Sequence, residues 1–306
     1  MGVKVLDRLA RLVRPLGWAS LVANIAIVVT GGAVRLTGSG LGCPTWPRCT
    51  DESFRPHGEL ELHSAIEFGN RMLTFVLAAI AIATFLAAWR TGRRQLRVLA
   101  LVLALGVPFQ AVIGGITVLA DLNPWIVSLH LLLSMAMVGV AVLFLRRIDD
   151  PGAVWTRGRT QTLAWITFAA TWVVLYLGTI VTGAGPHAGD AETPRNGLDP
   201  LQISQLHADS VFLLVGLTVG LLLATRAGTA ARRAAVVLLG VELGQSVIGF
   251  VQYFTDLPEI LVGAHMLGAG VISATATGAV LAVVLRPAPS AVPAVPATPA
   301  PARAAR

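Results

Sequence analysis

Charge is scarce in this chain. Only 13% of its 306 residues are Asp, Glu, Lys or Arg, about half of the roughly 25% typical of soluble domains. Together with 55% hydrophobic residues and a mean hydropathy of +0.74, this excludes an ordinary soluble fold. Cysteine is scarcer still. Cys43 and Cys49 are the only two, too few to build a structural zinc site, which takes four protein ligands. No small-residue cleavage pattern follows the first apolar run, so that segment is expected to remain as a helix rather than leave as a signal peptide. Acids are the minority charge, 16 against 23 Lys and Arg. A pI near 10.8 raises nucleic-acid binding, but the placement of the bases argues against it.

What the chain has instead is long apolar runs. Each is about twenty residues, enough to cross the roughly 30 Å hydrocarbon core at about 1.5 Å of rise per residue. They run from Leu16 to Val34, Leu62 to Trp89, Val98 to Leu119, Trp125 to Leu145, Thr160 to Thr182, Ile203 to Thr225, Ala234 to Phe254 and Ile260 to Leu285. The expected fold class is an all-α polytopic membrane protein with eight transmembrane helices. Lys4, Arg8, Arg11 and Arg14 precede the first helix, and Arg90, Arg93, Arg94 and Arg97 follow the second. Arg146, Arg147, Arg157 and Arg159 follow the fourth, and Arg226, Arg232 and Arg233 the sixth. The alternate connections hold only Arg35, Arg48, Arg55 and Arg195, among Asp51, Glu52, Glu59, Glu61, Asp190, Glu192 and Asp199. The positive-inside rule then puts both termini in the cytoplasm of a cell-membrane protein, and the charge needs no nucleic-acid partner. Residues 287–306 are nearly all Pro, Ala, Val, Ser, Thr and Arg, a composition unable to bury a core and expected to form a disordered cytoplasmic tail.

An internal repeat organises the rest. Gln110 to His130, QAVIGGITVLADLNPWIVSLH, aligns without gaps on Gln245 to His265, QSVIGFVQYFTDLPEILVGAH, with eight of twenty-one positions identical. The offset of 135 residues is about the length of four helices with their loops. Two parallel four-helix halves are expected, residues 1–150 and 151–286. TGGAVRLTGSGLG closes the first helix and LGTIVTGAGPHAG the fifth, each entering a long outside loop.

Histidine inside a membrane helix is costly, and its usual setting is a bundle interior where it holds a cofactor, metal or proton. Four of the six histidines qualify. His130 and His265 each lie about five residues into their helices, near the outside face, and His207 reaches a similar depth in the sixth. Paired imidazoles at one depth suit bis-histidine haem, the alternative being histidines hydrogen-bonded within the bundle. In the second helix, LHSAIEFGNRMLTF, Asn70 has the depth of His207. His63, Glu67 and Asn70 form one polar stripe, and His63 reads equally as an interfacial residue or a ligand. Glu67 is the sharpest single residue, a carboxylate inside an apolar helix, functional unless Arg71 four residues on merely pairs with it. Glu242 reads as structural, and Asp209 as a hydrogen-bonding neighbour of a ligand. The spacing CPTWPRC in an outside, oxidising loop favours a Cys43–Cys49 disulfide over two free thiols.

These motifs together, from TGGAVRLTGSGLGCPTWPRC through IEFGNR to both QxVIG segments with their histidines, resemble the haem A synthase family over nearly the whole chain. The resemblance implies a membrane oxidoreductase that converts a methyl group of haem O to a formyl group, giving haem A for cytochrome oxidase. It implies haem b held axially by His207 and His265 in the second half. In the first half it implies a haem O substrate near His130 and Glu67, with Glu67 as proton acceptor. A haem O synthase and an electron acceptor are the partners implied. The family's second-helix motif is Glu-x-x-His-Arg, and here Asn70, a poor haem ligand, stands at its histidine beside the substrate haem, which leaves that iron to His130 alone or to His130 with His63. Two other classes compete on the residues alone. One is a b-type cytochrome that only passes electrons, and it is disfavoured by the missing fourth ligand. The other is a repeat-built transporter, whose polar residues belong at mid-bilayer rather than toward one face.

Overall fold

The computed structural model describes residues 10–56, 62–190 and 192–286. Lys4, Arg8, Glu59, Glu61 and the tail at 287–306 lie outside the described residues, as do the expectations attached to them. Among the described residues, eight helices are long and apolar enough to cross a membrane, and the protein is a multi-pass membrane protein. They are α1 (Val13–Leu36), α2 (Leu62–Arg90), α3 (Arg94–Leu119), α4 (Pro124–Asp149), α5 (Arg159–Ala184), α6 (Pro200–Ala224), α7 (Ala230–Phe254) and α8 (Glu259–Val284). In lipid every backbone group must be bonded within the chain, and continuous helices achieve this within each span. Their ends follow local chemistry. Pro124 and Pro200 occupy first-turn positions, where the missing N–H costs nothing, behind Asn123 and Asp199, whose side chains accept backbone N–H bonds. Thr229 caps α7 in the same way.

The helices form two rings. In the first, α1, α2, α3 and α4 pack in sequence and α4 closes on α1; in the second, α5, α6, α7 and α8 do the same and α8 closes on α5. Within each ring, helices two apart in sequence face each other diagonally. The rings meet through α8, which packs against α1 and α4, and through α4 against α5. α8 is thus the central wall: 61% of its apolar window is buried, against 17% in α6 and α7. Close contacts at small residues make this possible. Met266 of α8 lies flush on Gly32 of α1, Ile25 of α1 lies on Gly270, and Ser273 donates to the Met135 carbonyl of α4 at 2.8 Å.

The internal repeat is visible in the backbone. α3 ends in Asp121 and Leu122 at φ 49° and 55°, and α7 in Asp256 and Leu257 at φ 59° and 57°. Left-handed conformations are unusual for such residues, and two in succession recur only here among the non-glycine residues described. Leu122 N–H bonds the Thr117 carbonyl and Leu257 N–H the Gln252 carbonyl, each at 2.8 Å. One addition to the all-helical expectation is a two-residue antiparallel pairing of β1 (Val154–Trp155) with β2 (Leu285–Arg286). It ties the end of α8 to the α4–α5 connection.

Both long loops lie at one end of the rings and are joined to each other. Gly40 N–H bonds the Gly189 carbonyl at 2.8 Å, and Arg35 donates to the carbonyls of His187 and Thr182 at 2.6 and 2.9 Å. Leu122 is buried between Gly40 and Gly189.

Candidate functional site

Three membrane histidines share one local arrangement. Each lies against a glycine of the preceding helix, close enough that a Cβ there would crowd the ring. The distance to Cε1 would be 3.3 Å between Gly114 and His130, 3.2 Å between Gly178 and His207, and 3.4 Å between Gly249 and His265. Each imidazole therefore rests in a notch against a bare backbone. Gly114 and Gly249 are the glycines of the two VIG motifs, and each precedes its histidine by sixteen residues. His207 on α6 and His265 on α8 stand on diagonal helices of the second ring, within electrostatic reach of each other. His130 on α4 is diagonal to α2 in the first ring.

In each of these three rings Nδ1 is buried and has no hydrogen-bond partner among the described residues. Buried polar atoms nearly always find a partner, so three orphans in equivalent notches point to a group the residues are shaped to receive. His63 and His187 differ. His63 Nδ1 lies 3.0 Å from Ser39 Oγ, and His187 Nε2 lies 3.0 Å from the Leu257 carbonyl. Both are engaged in holding the loop end together.

The α2 stripe is intact, and each member has a different partner. His63 is exposed and turned to Ser39. Glu67 is 5% exposed. Its Oε1 accepts from Arg71 at 2.5 and 3.0 Å, and its Oε2 accepts the Cys43 N–H at 2.6 Å. Arg71 also donates to the carbonyls of Cys43, Thr45 and Arg48 at 3.0–3.1 Å. The carboxylate expected as a proton acceptor is thus the hub of an anchor for the first loop, with both oxygens already bonded. Within that loop Cys43 and Cys49 form the expected disulfide, and Trp46 is laid flush on Gly115, next to the notch of His130. Asn70 Oδ1 accepts from Thr30 Oγ1 at 2.8 Å.

The remaining polar residues sort by position. Asp209, expected beside a ligand, is exposed and makes no hydrogen bond among the described residues. Two residues from His207, it faces the other side of α6. Glu242 is 2% exposed, with Thr218 donating to Oε1 at 2.8 Å and Oε2 unpartnered. Sequence reasoning passed over Thr30, Trp46 and the notch glycines. Only Gly114 and Gly249 left a signal, as the repeated VIG.

The match to known proteins follows the same stretch. The COX15-CtaA family, described as a cytochrome oxidase assembly protein, matches residues 14–65 and 58–196, more than half of the chain. The chain belongs to this family. Curated relatives extend the likeness. "Heme A synthase" of Staphylococcus haemolyticus is 29% identical over 188 residues, covering 56% of this chain and 60% of that protein. The protein of the same name from Listeria monocytogenes serovar 1/2a is 30% identical over 177 residues, 54% of this chain and 57% of its own. That of Sinorhizobium fredii is 27% identical over 317 aligned positions, covering 84% and 86%. The chain thus matches about three-fifths of the length of the first two relatives and most of the third.

Proposed function

We propose that this family member is a haem A synthase, oxidising a methyl group of haem O to a formyl group for cytochrome oxidase. The observation that carries this reading is the repeated histidine-on-glycine notch, present twice in the second ring and once in the first, beside the anchored disulfide loop. Two equal rings with four ligands would suit an electron carrier. Unequal rings suit a resident cofactor in one and a reacting porphyrin in the other.

The second half, residues 151–286, would hold haem b through His207 and His265, whose buried, unpartnered Nδ1 atoms and diagonal placement suit a pair of imidazole ligands. Bound there, haem b supplies one-electron redox chemistry toward an electron acceptor. The first half, residues 1–150, takes haem O, with His130 as the ligand of its iron. Glu67 and Arg71 fix the loop so that Trp46 roofs the His130 notch and excludes water from it. Glu67 is a positioning residue in this geometry, and any proton it accepts from the methyl goes to a remaining lone pair of its carboxylate. The alternation of basic connections supports cytoplasmic termini, a cell-membrane location and sites toward the outside face. Haem O synthase is the natural donor of the substrate.

The test is to purify the protein from membranes supplied with haem O, record a redox difference spectrum and chromatograph the extracted haem. Haem b together with haem O, its hydroxylated form or haem A supports the synthase. Haem b alone, near two per chain, favours a b-type cytochrome.

A further inference from the structure

The two rings agree at one diagonal position and differ at the other. α1 ends at Leu36 and α5 at Ala184, so Thr30 and Gly178 each stand six residues before a helix end. In the second ring the facing pair is Gly178 and His207, with the imidazole seated where a Cβ would be 3.2 Å away. In the first ring it is Thr30 and Asn70, with the hydroxyl donating to Oδ1 at 2.8 Å. Both partners differ between the rings. Where the second ring has a bare glycine the first has the Thr30 side chain, whose hydrogen bond holds the Asn70 carboxamide by the oxygen.

That leaves the first ring without a second nitrogen ligand. An amide NH2 is a donor with no lone pair for a metal, and the amide oxygen already accepts from Thr30. His63 offers no substitute. It lies two turns nearer the loop end, bonded to Ser39, with its backbone pressed against Gly42. Nδ2 of Asn70 makes no hydrogen bond among the described residues and belongs to a half-buried side chain.

We infer that the first ring binds porphyrin iron through His130 alone, leaving the opposite axial position open to a small diatomic ligand, with Asn70 Nδ2 as the hydrogen-bond donor to it. The inference rests on the reading of the first ring as a porphyrin site. The second ring, with His207 and His265 both available, is closed to such ligands.

Carbon monoxide is the probe, titrated into the reduced full-length protein purified after haem O supply. The expected result is one CO-reactive haem per chain beside one low-spin haem that ignores CO. Thr30→Gly combined with Asn70→His, which restores the bare backbone an imidazole rests on, lowers the CO-reactive fraction by about tenfold or more, because an endogenous ligand competes for the position. Asn70→Ala still binds CO but releases it about fivefold faster, the effect of one lost hydrogen bond, with a shifted C–O stretch. His130→Ala removes the CO-reactive haem and leaves the low-spin one, which also reports correct folding of every variant.

Wild-type protein that is wholly low-spin and unreactive to CO, yet yields haem O or its oxidised forms, overturns the open position and leaves the synthase reading standing. A CO-reactive haem in protein that yields only haem b overturns the synthase reading and keeps the open position. No porphyrin in the first ring overturns both. Undiminished CO binding in a folded Thr30→Gly/Asn70→His variant places the open face elsewhere, and an unchanged C–O stretch in Asn70→Ala removes the amide from the proposal.

Discussion

The two rings share a turn, a glutamine, a notch glycine and a histidine at a constant offset of 135 residues. They part at α2 and α6, where Thr30 with Asn70 in one answers Gly178 with His207 in the other. The loop above that pair is also unequal. Only the first is closed by a disulfide and, among the described residues, tied down by a buried ion pair. The comparison teaches that one ring carries two notched histidines on a diagonal, while the other carries one, opposite an asparagine and beneath a fastened loop.

The largest expected effect breaks that comparison directly. His207→Ala or His265→Ala should abolish the low-spin signal in the redox difference spectrum, whereas His130→Ala should leave it at full strength. A common loss in all three variants would mean that the rings do not hold separate groups.

Next comes Glu67→Gln, which keeps an acceptor for the Cys43 N–H but removes the charge that holds Arg71. Formyl product should fall on the order of tenfold to hundredfold, with haem content unchanged. A residual activity with the wild-type pH profile marks Glu67 as a positioning residue, and loss of the acid limb marks it as the proton acceptor. Unchanged turnover removes it from the mechanism altogether.

A smaller effect is expected from Gly114→Ala and Gly249→Ala, made in parallel. Each adds a methyl within 3.3–3.4 Å of its histidine, overpacking that typically costs about 1–3 kcal/mol. The low-spin haem should shift its midpoint potential only in Gly249→Ala. Equal shifts in both would dissolve the distinction between the rings.

The smallest concerns Glu242, whose counterpart at the 135-residue offset is Val107, a buried residue of α3. Glu242→Val should change thermal stability by no more than about 1 kcal/mol, since the Thr218 hydroxyl can turn to its own helix carbonyl. A collapse of the low-spin haem in this variant would give the carboxyl a functional task that its position does not require.

Most of the fold was legible because lipid imposes simple rules. Apolar length marks a span, and the ends of α4, α6 and α7 carry Asn-Pro, Asp-Pro and Thr signals at the caps. The repeat was legible at Asp121 and Asp256 because an identical backbone turn keeps identical residues. The histidines stood out through their cost in a membrane. What stayed hidden is what depends on folding back across sequence. Nothing near Glu67 announces that Cys43, 24 residues earlier, supplies an N–H to it, or that Trp46 reaches Gly115 on α3. Asp209 misled for the converse reason: adjacency in sequence is opposition on a helix, and only His207 looks inward.

The position of α8 changes what a half means. Its Met266, Gly270 and Ser273 contact Gly32, Ile25 and Met135, all in the first ring, while its His265 serves the second. Removing residues 151–286 would uncover Gly32, Ile25 and the Met135 carbonyl together, so the first four helices are not a free-standing protein. The chain repeats in units of four helices but folds as a unit of eight, and a polypeptide cut between α4 and α5 would have to reassemble around α8 before either ring could close.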